Sequence, residues 1–122
     1  MADLGEMRAA LSNGLMRLMK ELYGKGPTAS KSFLNDEYVF VVLEGGLTRV
    51  EETLLQEGKA DVVRDYRLEF QAVVGERFRA EVERVTGRTV LDYHSQVLFH
   101  PPRSIELFVL DAPPALSEPP TS

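Results

Sequence analysis

A chain of 122 residues, 43% hydrophobic and 27% charged, has the size and balance of one globular domain that buries its own core. It contains no cysteine, which excludes a disulfide framework, a thiolate metal site, a cysteine-held iron–sulfur cluster and a cysteine nucleophile together. The formal net charge of −5 argues against nucleic acid and anionic lipid as partners, because both need a basic face.

The start, Met1-Ala2-Asp3-Leu4-Gly5-Glu6, lacks the basic end and apolar centre of a signal peptide. No stretch approaches the roughly 20 apolar residues that span a bilayer. A cytoplasmic location without direct membrane insertion is the expectation.

Residues 2–23 carry apolar side chains at Leu4, Met7, Leu11, Leu15, Leu18 and Leu22, steps of three and four that define one face of a helix. Met16 and Met19 broaden that face. Gly14 marks either a close helix contact or a tolerated loss of helix propensity. Tyr23-Gly24-Lys25-Gly26-Pro27 is a helix stop, with glycine for a left-handed cap and then proline.

A hairpin follows. Residues 28–34 read as a polar edge strand, and Asn35-Asp36 as the turn. Tyr38-Val39-Phe40-Val41-Val42-Leu43 is an unbroken apolar run, the pattern of a central strand covered on both faces. Glu44-Gly45-Gly46 ends it. Thr48-Arg49-Val50-Glu51 is a capping box, predicting a short helix to about Gln56.

A long helix is predicted from Lys59 or Ala60 to Val85, with Val63, Tyr66, Phe70, Val73, Val74, Phe78, Val82 and Val85 as its buried stripe. Thr86-Gly87-Arg88 closes it. In the final hairpin, Leu91, Tyr93, Ser95, Val97 and Phe99 point one way, and Asp92, His94, Gln96, Leu98 and His100 the other. Pro101-Pro102-Arg103 makes the turn, and residues 105–110 pair back. Residues 111–122 hold four prolines and read as a disordered tail, leaving residues 1–110 as the domain. The order α-β-β-α-α-β-β predicts an α+β fold: an antiparallel sheet of about four strands in two hairpins, with helices on one face. A sheet edge or the first helix is a natural homodimer surface.

Candidate chemistry is sparse. Gly24, Lys25 and Gly26 can present amides and a charge to a small anion, with Arg67 as a second cation, although the spacing is not that of a phosphate-binding loop. The plainer reading is a chain reversal, with Arg67 on a solvated face. His94 and His100 lie six residues apart, about 20 Å along a straight strand, too far to share a metal. Ser95 and His94 are neighbours that point to opposite faces, so they make no dyad. The chain offers no catalytic set, no metal site and no cofactor motif. Leu11, Leu15, Met16 and Met19 on the first helix are either the cover of the sheet or a docking face for a partner.

Four stretches carry a family likeness. They are Tyr23-Gly24-Lys25-Gly26-Pro27; Val41-Val42-Leu43-Glu44-Gly45-Gly46-Leu47-Thr48-Arg49-Val50-Glu51; Val62-Val63-Arg64 with Arg67, Phe70 and Gln71; and Thr86-Gly87 before the last hairpin. Together they cover about residues 4–110, and on them the chain resembles the MpsC family, named for a sodium-translocating, membrane-potential-generating system. The resemblance implies a companion of a membrane system linked to sodium-dependent potential generation and inorganic-carbon uptake, and brings no catalytic residues with it. The expected function is a non-enzymatic accessory or regulatory protein, a homodimer beside a membrane transporter subunit. The alternative is a module binding a small anion such as bicarbonate at residues 24–27.

Overall fold

The computed structural model describes residues 3–116. Helix α1 spans Leu4–Tyr23, strands β1 and β2 span Ala29–Asn35 and Tyr38–Glu44, and helices α2 and α3 span Arg49–Gln56 and Ala60–Thr86. Strands β3 and β4, Val90–Phe99 and Pro102–Leu110, complete one four-stranded antiparallel sheet of order β1-β2-β4-β3. The predicted α+β architecture is therefore the one observed.

Local chemistry explains the element ends. Asp3 accepts the Glu6 amide at 2.8 Å and caps α1, and Gly24 closes it with a left-handed φ of 81°. Thr48 and Glu51 form the reciprocal capping box at the start of α2. Asp36 and Glu37 make a two-residue turn between β1 and β2, with Asp36 at positive φ.

The core lies between the helices and one face of the sheet. Met7, Leu11, Leu15, Leu18 and Met19 of α1 meet Val39, Val41 and Leu43 of β2, Phe108 and Leu110 of β4, and Phe78 and Val82 of α3. Each large side chain buried here contributes about 1.5–3 kcal/mol. A smaller cluster of Leu47, Val63, Val97 and Phe99 sits beside α2. Gly14 is a true close contact: a side chain there would run into Glu81 of α3.

Both hairpin turns shift, from Asn35-Asp36 to Asp36-Glu37 and from Pro101-Pro102-Arg103 to His100-Pro101, so that β4 begins at Pro102 and pairs there with Phe99. Three further expectations change. A bulge between Val90 and Asp92 puts Val90 in the core and leaves Leu91 56% exposed, so the strand alternation begins one residue earlier than predicted. The buried stripe of α3 is rotated: Tyr66 and Val73 are 54% and 79% exposed, while Arg67, Gln71, Gly75 and Thr86 are buried. Residues 111–116, assigned above to the tail, are anchored. Asp111 exchanges hydrogen bonds with Thr89, Arg88 Nε donates to the Pro113 carbonyl at 2.8 Å, Pro114 is buried and Leu116 packs on the core. The remainder of that tail, residues 117–122, lies outside the described residues.

The turn after β2 is tightly built. Gly46 has φ of 84°, and a Cβ there would lie 3.1 Å from the Pro27 backbone. Gly58 has φ of 75° with open space around it. Gly58→Ala should cost about 1–2 kcal/mol from the backbone alone, and Gly46→Ala distinctly more, because its contact is with main chain. Urea denaturation of the two variants checks the order.

Candidate functional site

Two buried polar clusters interrupt the apolar layer. In the first, Glu51 follows from its capping-box position, where Oε1 accepts the Thr48 amide at 2.9 Å. The same carboxylate receives Arg67 of α3, with Nε to Oε2 at 2.5 Å and Nη2 to Oε1 at 2.7 Å. Arg67 Nη2 also donates to the Gly46 carbonyl at 3.2 Å, and its guanidinium carbon lies 4.3 Å from the Tyr23 ring centroid. Both side chains of the ion pair are 4% exposed. Burial pushes the Glu51 carboxyl up, but the hydrogen bonds from Arg67 and Thr48 win and hold it below the usual carboxylate range. Burial likewise opposes the Arg67 charge, and the Glu51 hydrogen bonds raise its pKa regardless.

The second cluster surrounds Glu106, fully buried in the middle of β4. The Tyr93 hydroxyl donates to Oε2 at 2.9 Å, Gln71 Nε2 to Oε1 at 3.1 Å, and the Ser104 hydroxyl to Oε1 at 3.3 Å. Burial pushes the Glu106 carboxyl up, further than these hydrogen bonds bring it down. Burial also raises Tyr93, aided by the neighbouring Glu106 charge. A shallow pocket of about 190 Å³ opens beside this cluster, lined by Leu68, Gln71, Ala72, Tyr93 and Ser95. The arrangement stores an acid inside the fold; it supplies neither a nucleophile beside a base nor a set of metal ligands. Among the described residues there is no group of three or more His, Asp or Glu placed to hold a metal ion.

The residues singled out from the sequence scatter across the molecule. Gly24, Lys25 and Gly26 form the loop after α1, packed against the Gly45-Gly46 turn beside an open groove of about 380 Å³. Lys25 Nζ lies 3.7 Å from Glu52. Arg67 is enclosed by Glu51, Gly46 and Tyr23 rather than set on a solvated face, and does not line that groove. Leu11, Leu15 and Met19 are buried beneath α1, with Met16 partly buried against the same core. Docking a partner on those four would require α1 to leave the sheet. His94 is exposed on the sheet's far side, and His100 is exposed at the β3–β4 turn.

That far side is the feature sequence reasoning missed. The register puts four rows of side chains on it, reading β1-β2-β4-β3. They are Asn35, Tyr38, Val109, Asp92; Phe33, Phe40, Leu107, His94; Lys31, Val42, Ile105, Gln96; and Ala29, Glu44, Arg103, Leu98. No described helix lies across it, because α1 and α3 are on the opposite face with the core; Arg8 of α1 reaches round the β1 edge, its guanidinium carbon 5.4 Å from the Phe33 ring centroid. Phe33, Tyr38 and Phe40 are 45%, 42% and 40% exposed, beside partly exposed Val42, Ile105, Leu107 and Val109. The centre is thus apolar and uncharged, with charges confined to the rim. An apolar patch of this extent with a polar border is the anatomy of a protein-contact surface. The signal was present in the run Tyr38-Val39-Phe40-Val41-Val42-Leu43, which predicts cover on both faces; the described residues supply cover on one.

The fold defines an α+β protein with helices on one side of an open sheet and an apolar, partly exposed face on the other. The chain matches, over residues 3–112, the family described as the Na+-translocating membrane potential-generating system, MpsC, and it belongs to that family. No curated protein and no solved structure gives a match. No helix among the described residues is long and apolar enough to cross a membrane.

Arg67→Met should destabilise the protein by about 3–5 kcal/mol, because Glu51 is left charged and buried. Adding Glu51→Gln should recover a large part of that loss in denaturant titrations. Glu106 titrates with the opposite sign. Its folded pKa lies above the unfolded value of about 4.3, so the folded state holds the extra proton, and stability falls as pH rises from there through the folded pKa. Glu106→Gln should remove that fall, giving a flatter stability profile between acidic and neutral pH in thermal melts.

Proposed function

We propose that this chain is a non-enzymatic accessory or regulatory protein of a membrane ion- or inorganic-carbon-transport system, working on the cytoplasmic side through protein–protein contacts. The observation that carries the reading is the apolar outer face of the sheet. Exposing that surface costs the isolated chain hydrophobic stabilisation, about 25 cal/mol for each Å² left in water, and contact with protein recovers it. Membership of the MpsC family supports the setting. The ion path itself is assigned to another subunit.

An anion site at Gly24, Lys25 and Gly26 has weaker support. Lys25 faces Glu52, and the second cation, Arg67, is already neutralised by Glu51. Bicarbonate is therefore assigned to the transport system rather than to this loop.

The test is mild crosslinking of tagged protein in its native host, followed by identification of what co-purifies from membranes. The wild-type chain should recover an ion-translocating membrane subunit. Phe40→Glu, which places a charge in the centre of the face, should lose at least tenfold of that recovery while keeping its circular dichroism spectrum. Equal recovery of the transport subunit by both would remove the sheet face from the account, and absence of any such subunit would remove the accessory role.

A further inference from the structure

We propose that the open face of the sheet is covered by a second copy of this chain, packed face to face about a two-fold axis that runs parallel to the strands between β2 and β4. This rests on the reading of that face as a protein-contact surface and names its occupant. The argument comes from the register. A two-fold axis in that direction keeps each row level and lays β2 over the partner's β4. Phe40 then meets the partner's Leu107, and Glu44 meets the partner's Arg103, each contact occurring twice. Aromatic side chains face aliphatic ones, and the charges at the end of the two central strands face their opposites.

The other in-plane axis, perpendicular to the strands, fails the same comparison. It reverses the rows within each strand, laying Glu44 over the partner's Tyr38 and Arg103 over the partner's Val109. Each charge then keeps only its cross-strand neighbour within its own chain and gains no opposite charge from the partner. Stacked sheets cross at about 30°, which displaces the row ends by about one strand spacing. An arginine side chain spans that displacement.

Size sets the expected strength. Four strands about 4.8 Å apart and seven residues at about 3.4 Å each give a face of about 19 by 24 Å. Allowing for the relief of the side chains, this lies at the low end of specific interfaces, which bury about 800 Å² per partner. The pair should therefore form reversibly, with a dissociation constant in the micromolar range. Pairing also explains the apolar run of β2: its second cover comes from the other subunit. The sheet face then serves the accessory role by making the pair, whose helical layers bind the transport subunit, so Phe40→Glu loses that subunit because it loses the pair.

Sedimentation velocity of the full chain over roughly 1–200 µM tests this. The wild type should move from monomer to dimer across that range. Phe40→Glu should stay monomeric with its circular dichroism spectrum intact. Glu44→Arg and Arg103→Glu should each weaken the dimer at least tenfold, and the double exchange should return it to within a few-fold of wild type. A wild type that stays monomeric, a dimer that survives Phe40→Glu, or a double exchange that recovers nothing would each overturn the proposal. These outcomes separate it from the accessory role. A monomer that still recovers the transport subunit ends the pair alone, and a charge-dependent dimer with no membrane partner ends the accessory role alone.

Discussion

The fold is joined at Arg67. At its guanidinium the end of α1, the turn after β2, the start of α2 and the first third of α3 meet, through Tyr23, Gly46, Glu51 and Arg67 itself. None of these elements needs the others for its own backbone hydrogen bonds. They are held in one arrangement because a cation buried in a medium of low polarity tolerates only a geometry that supplies its counter-charge and its acceptors. The capping-box glutamate therefore has two tasks, closing the helix end and neutralising the arginine. The Gly45-Gly46 turn likewise serves both chain reversal and acceptance of an Arg67 hydrogen bond. That dual use leaves little room in this corner for an external anion.

One turn further along α3, Gln71 reaches Glu106, and the layer between helix and sheet is again polar. The two clusters raise and lower their acids for different reasons. Glu51 has a full positive charge against it, whereas Glu106 has only dipoles, from an amide and two hydroxyls. Dipoles satisfy hydrogen bonding without repaying the loss of hydration, so the second acid retains its proton to higher pH. The helix packs through these polar contacts in its middle and through Phe78 and Val82 towards its end. This explains why a helix with so many polar inward positions still covers the sheet.

The open face has the reverse character. The helical side of the sheet mixes apolar packing with buried charge, while the far side is apolar at its centre and polar only at its border. A two-layer domain is stable with one face of an antiparallel sheet in water when that face is polar. Here the central strands carry Phe40, Val42, Ile105 and Leu107 outward, so the face leaves apolar surface in water. Contact through this face and membership of a family tied to a membrane system are two sides of one reading, in which the chain acts by what it touches.

Local signals alone determined the elements, the helix ends to within two residues and the pairing within each hairpin, while the strand ends shift. Helix caps, the capping box and the period of the apolar residues depend on neighbours a few positions away and are legible along the chain, whereas the first hairpin turn falls one residue later than predicted. Which face of α3 turned inward was not. Arg67 and Gln71 displace Tyr66 and Val73 from the interior because their partners, Glu51 and Glu106, lie 16 and 35 residues away, and hydropathy assigns a charged residue to solvent until its partner is known. The bulge at Leu91 was hidden for the same reason, since register is a property of two strands. The unbroken apolar run of β2 suits a strand covered on both faces, and the structure covers one. Only the tertiary structure decided that α1 and α3 both go to one side, because their apolar stripes and the Gly14–Glu81 contact bring them against the same face.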